Sequence, residues 1–387
     1  MTPDFIAPRY GEASLAEVVP GLLSGMGVEG LGDPLGLAGP RRAIVLLVDG
    51  LGWMWVQERA DLLPFLAEQG GRSIDSPCPS TTVTGIGTLG TGLAPGQHGL
   101  VGYTLPGWQS ARRLNLLSWK YETAGADPVD ALIETPPETL QPCETMFDIA
   151  TRHGIDATAV LRREYTSTGL TRAALRGART MAASGLPETL DAAVAAATSG
   201  DRTLVYANHG DVDRAGHGHG PETEPWEAAV IEVDEQLERI AADLPADVDL
   251  YVTAGHGMVD VPPDGYLELA DEPDLMAGVV VLAGEPRFRS LRVREGSTQD
   301  VVTAWREHAG HRFEVVTREE AIEAGWFGPA VRPEVQASLG EVLVLPRGLS
   351  AAVHRDLDPQ WWRLSGHHGS LTRPEVEVPL VRITRTG

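Results

Sequence analysis

An α/β fold is predicted for this chain, a central and mostly parallel sheet with helices on both faces. Apolar runs of strand length alternate with helical patterns from residue 43 to residue 254. The run "AIVLLV" at 43–48, closed by Asp49-Gly50, has the continuous apolar character of a strand buried on both faces. Similar strand signals recur at 156–161 ("DATAVL"), 203–207 ("TLVYA") and 248–254 ("VDLYVTA"). Between them, 187–200 reads as a helix ended by glycine, and 223–244 as a longer one. In the latter, Trp226, Val230, Val233, Leu237 and Ile240 recur at three- and four-residue spacing and form one apolar face. Residues 275–355 differ: two apolar runs, "AGVVVLAGE" and "GEVLVLP", flank the helix-like "TQDVVTAWREHAG". They are expected to form a smaller α+β insertion in a core made of 1–274 and 356–387. Residues 104–142 have weak periodicity and are expected to form a lid-like excursion.

Composition narrows the function. With 54 acidic against 31 basic residues the formal charge is −23, which disfavours nucleic-acid polymers and anionic membrane surfaces as partners. Small phosphate esters at a metal site remain compatible, because a bound cation inverts the local field. Cys78 and Cys143 are the only cysteines and are read as free thiols. The N-terminal stretch has no basic segment followed by an apolar one, and no apolar run approaches 18 residues, so a cytoplasmic location is expected. Nothing in the pattern speaks to oligomeric state.

A sheet of this kind gathers ligands beyond the carboxyl ends of its strands. Three of the four strand ends carry a metal-type residue: Asp49 after the first, Asp213 and His217 in "DVDRAGHGHG" after the third, and His256 in "TAGHGM" after the fourth. His367 and His368 follow late in the chain in "GHHGS". Carboxylate oxygen and neutral imidazole together suit zinc or manganese. Taken singly, each has an ordinary alternative. An Asp before Gly is often a turn residue, and Asp213 and His217 have the spacing of an exposed helical pair. The glycines around them favour a loop over a regular helix. His98 in "PGQHG" is read as ordering its own loop. The stretch "SPCPSTTVTGIGTLGTGLAPGQHG", 76–99, crowds hydroxyls beside glycines. Such a turn serves equally for capping a helix, approaching a ligand or supplying a nucleophile.

In order, "LLVDG", "PSTTVTGIGTLGTGLAPGQHG", "DVDRAGHGHGP", "TAGHGM" and "HHGS" resemble the motifs of the alkaline phosphatase superfamily, specifically its type I phosphodiesterase/nucleotide pyrophosphatase branch. The resemblance runs from residue 43 to 369 and implies an alkaline-phosphatase-like sheet. It implies that Thr82 is the nucleophile, 16 residues before the His98-Gly99 pair and nine before Thr91-Gly92. Thr81, Thr84 and Thr88 are then capping or packing hydroxyls. It further implies two divalent metal ions, zinc or else manganese. One would be held by Asp213, His217 and His368, the second by Asp49, His256 and Thr82. The family pattern has Asp-His-Gly where this chain has Gly255-His256-Gly257, so one carboxylate ligand is missing and Asp211 is a candidate substitute. Tyr103 stands where the branch has an Asn that binds a phosphoryl oxygen.

The resemblance implies a metal-dependent hydrolase of phosphodiester or phosphoanhydride bonds acting through a phosphothreonine, with a small phosphate ester or nucleotide as substrate. A phosphomonoesterase or phosphonate hydrolase on the same core is the alternative, as is a catalytically weakened relative lacking the second metal. Tyr103, Trp108 and Trp119 suit the apolar substituent of a diester, whereas Arg113 and Lys120 suit the extra charge of a monoester.

Overall fold

The computed structural model describes residues 5–37, 39–107 and 112–385. Trp108 lies outside them. Seven strands form the main sheet: β1 (Arg42–Val48), β2 (Arg72–Asp75), β3 (Asp156–Leu161), β4 (Arg179–Ala182), β5 (Thr203–His209), β6 (Val248–Thr253) and β7 (Glu377–Ile383). Their spatial order is β2-β7-β6-β1-β5-β3-β4. From β6 to β4 every neighbouring pair is parallel, and β7 alone runs against its neighbours. Strand β1 sits at the centre, paired with β6 through Leu46↔Val252 and with β5 through Leu46↔Ala207. All but one of its residues are buried, which accounts for its unbroken apolar run.

Because β1, β5 and β6 are adjacent and parallel, their carboxyl ends open onto one edge. Asp49 follows β1, Asp211 and Asp213 follow β5, and His256 follows β6. The helix α1 (Thr82–Thr91) starts at the same edge, and almost all of it is buried. Two further helices come after β5: α2 (Asp211–His219) and α3 (Glu224–Asp243). The apolar face of α3 read from sequence, Trp226, Val230, Val233, Leu237 and Ile240, is buried in the main core.

A second, four-stranded antiparallel sheet is built from Val279–Glu285, Phe288–Val293, Phe313–Thr317 and Val342–Pro346. With the helix Thr298–Ala309 it encloses its own apolar cluster around Trp305, Phe313 and Val344. Arg287 and Glu375, both fully buried, pair through two 2.7 Å hydrogen bonds and tie this sheet to the segment before β7. Four short antiparallel strands between 104 and 130 make a third sheet, joined to the second where Thr104 donates to the Gly284 carbonyl at 2.9 Å. Among the described residues no helix is long and apolar enough to cross a membrane.

Candidate functional site

Thr82 is the first residue of α1. Thr81 before it is the N-cap residue, with extended backbone, but its hydroxyl makes no capping bond and turns to the Glu285 carboxylate instead. The positive end of the helix dipole therefore faces the sheet edge. There the Thr82 Oγ1 lies 3.2 Å from His256 Nε2. The other hydroxyls of α1 have structural partners: Thr84 accepts from Gly102 N at 2.9 Å, and Thr88 lies 3.0 Å from His98 Nε2. His98, pushed down to about 3 by burial, accepts from Leu100 N at its Nδ1 and orders its loop.

Three imidazoles face one point with their Nε2 atoms. His217 Nδ1 donates to the Gly366 carbonyl at 2.7 Å, His256 Nδ1 to Gly257 O at 2.8 Å, and His368 Nδ1 to Ser80 O at 2.9 Å. A carbonyl can only accept, so each ring carries a proton on Nδ1, and in a neutral imidazole this leaves the lone pair at Nε2. Burial lowers the proton affinity of His256 and His368, keeping them neutral. His217 and His368 Nε2 atoms are 3.2 Å apart, and Asp213 Oδ1 lies 3.4 Å and 3.8 Å from them. Ligand atoms of Asp213, His217 and His368 all fall within 4.8 Å of one another. Asp213 Oδ1 and Asp49 Oδ1 are buried with no hydrogen-bond partner. Imidazole nitrogens and carboxylate oxygens converge here without enough protein donors to satisfy them, a set that a cation would satisfy. The residues thus fit a divalent metal.

Asp49, His256 and Thr82 form the adjoining cluster. His256 Nε2 is 3.9 Å from Asp49 Oδ1 and equally far from Asp213 Oδ1. Burial, and then the nearby Asp213 charge, push Asp49 up to about 8. Asn208 donates to its other oxygen at 3.2 Å. Gly255 bears on the same carboxylate: a Cβ there would stand 2.4 Å from Asp49 Oδ1. Asp49 thus fills the space that a side chain at 255 would need.

Several expectations change. Residues 211–219 are helical, not a loop, so Asp213 and His217 share one face of α2 at i, i+4 spacing. Gly216 does not break this helix; it gives it close contact with Met258, whose Sδ would be 2.3 Å from an added Cβ. Asp211 is no substitute for the missing carboxylate, since Arg162 and Arg214 both bind it. His367 points elsewhere, its Nε2 2.9 Å from the Tyr266 hydroxyl, while His368 joins the cluster. Trp119 is buried, its indole donating to Thr135 O at 2.8 Å, and is not part of the cleft wall. Arg113 is held by Glu122 and Asp358, and neither it nor Lys120 lines the cleft.

The cleft over Thr82 measures about 540 Å³ and includes Asp49, Tyr103, Asp213, His217 and His368 in its lining. Tyr103 packs edge-on against Trp361, ring centroids 5.2 Å apart, and burial raises its hydroxyl to about 12, so it is a neutral donor. Glu285, at the end of the first strand of the second sheet, also lines it. Its Oε2 lies 3.7 Å from His368 Nδ1, Oε1 has no partner, and burial pushes its carboxyl up to about 8. Glu285 carries no local sequence signal. Asn208 does: it is the penultimate residue of β5, at the strand end where ligands gather.

The family model for type I phosphodiesterase/nucleotide pyrophosphatase matches residues 43–371. No curated protein matches the chain in sequence. Among solved structures, the chain resembles human ectonucleotide pyrophosphatase/phosphodiesterase 5, with a TM-score of 0.64 at 16% identity over 88% of this chain and 87% of that one. It also resembles the murine protein, solved alone and as an inactive variant in complex with AMP. For both murine structures the TM-score is 0.63 at 16% identity, over 88% of this chain and 87% of theirs.

Proposed function

We propose that this chain, which belongs to the type I phosphodiesterase/nucleotide pyrophosphatase family, hydrolyses phosphodiester or phosphoanhydride bonds of small molecules with Thr82 as nucleophile. The observation that carries this reading is the Thr82 hydroxyl at the head of α1, 3.2 Å from an imidazole whose lone pair faces the same cluster of donors. Asp213, His217 and His368 would hold one metal ion, and Asp49, His256 and Thr82 a second, zinc or else manganese. Bound there, such ions would supply Lewis-acid polarisation of the phosphoryl oxygens and lower the pKa of the threonine hydroxyl.

The protein's own part is positional. Helix α1 points Thr82 Oγ1 into the cleft, and its amino end favours the negative charge that develops there. Attack by Oγ1 forms a bond to phosphorus as the bond to the leaving alcohol or phosphate breaks, the hydroxyl proton passing through solvent in the open cleft to the departing oxygen. Water then hydrolyses the phosphothreonine and restores the hydroxyl. Tyr103 is the proposed donor to a phosphoryl oxygen.

The charge of the cleft supports diester over monoester cleavage. The guanidinium groups that line it, Arg162 and Arg214, are both bound to Asp211. A monoester dianion would bring an extra charge with no such partner. The AMP complex of the murine relative supports a small nucleotide as one substrate class. A panel of chromogenic mono- and diesters with nucleotide sugars and dinucleotides tests the reading. Diester or anhydride cleavage should lead by at least tenfold in kcat/KM, about 1.4 kcal/mol. The reverse order would identify a phosphomonoesterase.

A further inference from the structure

We infer that one ester substituent of the substrate is an apolar alkyl or aryl alcohol, held beside Thr82 in a slot walled by Val83, Ile86, Leu161, Leu170 and Leu175. The inference rests on the phosphodiesterase reading above and narrows it. Val83 and Ile86 lie in the first turns of α1 after the nucleophile, Leu161 ends β3, and Leu170 lies within and Leu175 at the C-cap of the helix Gly169–Ala174, which packs on α1. All five line the cleft, and each is less than a tenth exposed.

Four polar side chains beside this slot are engaged within the protein. Thr168 Oγ1 donates to Thr171 Oγ1 at 3.1 Å, Thr171 Oγ1 donates to the Tyr165 carbonyl at 2.5 Å, and Arg162 and Arg214 share Asp211. Against these five apolar side chains a nucleobase or sugar would bury donors and acceptors unpaired, a penalty an alkyl chain or simple aryl ring does not meet. The mouth continues the apolar character: Leu117 and Tyr165 line the cleft while 41% and 44% exposed. Their exposed apolar surface would be covered by a substituent reaching out of the slot.

The test uses the metal-loaded protein and p-nitrophenyl phosphodiesters that share a leaving group and differ in the second alcohol: methyl, propyl, hexyl, phenyl and the 5′-hydroxyl of thymidine. We expect kcat/KM to climb from methyl to hexyl by roughly fourfold per methylene while the chain remains within the slot. The phenyl and hexyl esters should exceed the thymidine ester. Leu170→Asn should collapse the hexyl-to-methyl ratio by about tenfold, a comparison made within one protein and so independent of how much of it is active. A flat series, or a thymidine ester hydrolysed faster than the hexyl ester, overturns the slot assignment and leaves the phosphodiesterase reading standing. Failure to cleave any diester overturns both.

Discussion

The imidazoles of His256 and His368 stack face to face, centroids 3.6 Å apart and planes 17° from parallel. They come from the loop after β6 and the loop before β7, and they belong to the two proposed metal positions, which therefore share a wall. Ser80 fixes the outer ring: its carbonyl accepts from His368 Nδ1, and its hydroxyl bonds the 369–370 backbone. We expect His368→Ala to remove the tightly held ion. Outer hydrogen-bond partners alone are worth 10–100-fold in metal affinity, so loss of a ligand should exceed roughly 100-fold. Elemental analysis after dialysis checks this, and unchanged content would remove His368 from the ligand set.

Thr82→Ala separates chemistry from binding. Without the nucleophile, turnover should drop by roughly a thousandfold or more, while the ion at Asp213, His217 and His368 stays. Rapid quenching with a labelled substrate should trap a phosphorylated threonine in the parent and none in the variant. A variant that still accumulates the phosphoprotein would assign the nucleophile elsewhere.

Substitutions at Gly255 should move metal content in opposite directions. A Cβ at this position meets Asp49 Oδ1 at 2.4 Å, so any side chain forces that carboxylate to rotate away. Gly255→Ala displaces Asp49 and offers nothing in return, and should lower occupancy of the second position. Gly255→Asp displaces it equally but adds a carboxylate, and should raise both occupancy and kcat. Metal stoichiometry of the two variants beside the parent decides. Equal losses in both would mean that Asp49 alone completes the site.

Protonation predicts how the metal-free protein responds to pH. Asp49 and Glu285 are raised to about 8 in the folded state, from ordinary values of 3.8 and 4.5. A raised folded pKa gives stability that is complete below the unfolded value and is lost as pH climbs through the folded one. The buried imidazoles His256 and His368 are shifted down from 6.5, and their contribution is lost only as pH falls below that value. Between 6.5 and about 8 the carboxylates therefore act alone. The midpoint of thermal unfolding after chelation should fall as pH rises through this window, and Glu285→Gln should flatten the slope. A midpoint rising with pH there would contradict the burial of both acids.

Much of this site could be read before any fold was known. The apolar run at 43–48 marked the central strand, and Asp49, Asp213 and His256 could be gathered because adjacent parallel strands end at one edge. The spacing that led to Thr82 lies within one short stretch, where chain connectivity alone keeps positions in step. Gly216 and Gly218 made 211–219 look unlike a helix, but contact with Met258 and capture of Asp211 by Arg162 and Arg214 favour one. What the sequence by itself determined was the run of buried strands and the metal-type residues at their ends, since residue type and local periodicity are properties of neighbours in the chain; the expected chemistry came from the resemblance of its ordered motifs to a known family. Only the tertiary structure decided that Glu285 would reach the cleft from another sheet, that Asp211 would be spent on arginines, and that leucines would wall one side of the nucleophile. Each of these is a choice between competing partners distant in sequence, and packing settles which of them meet.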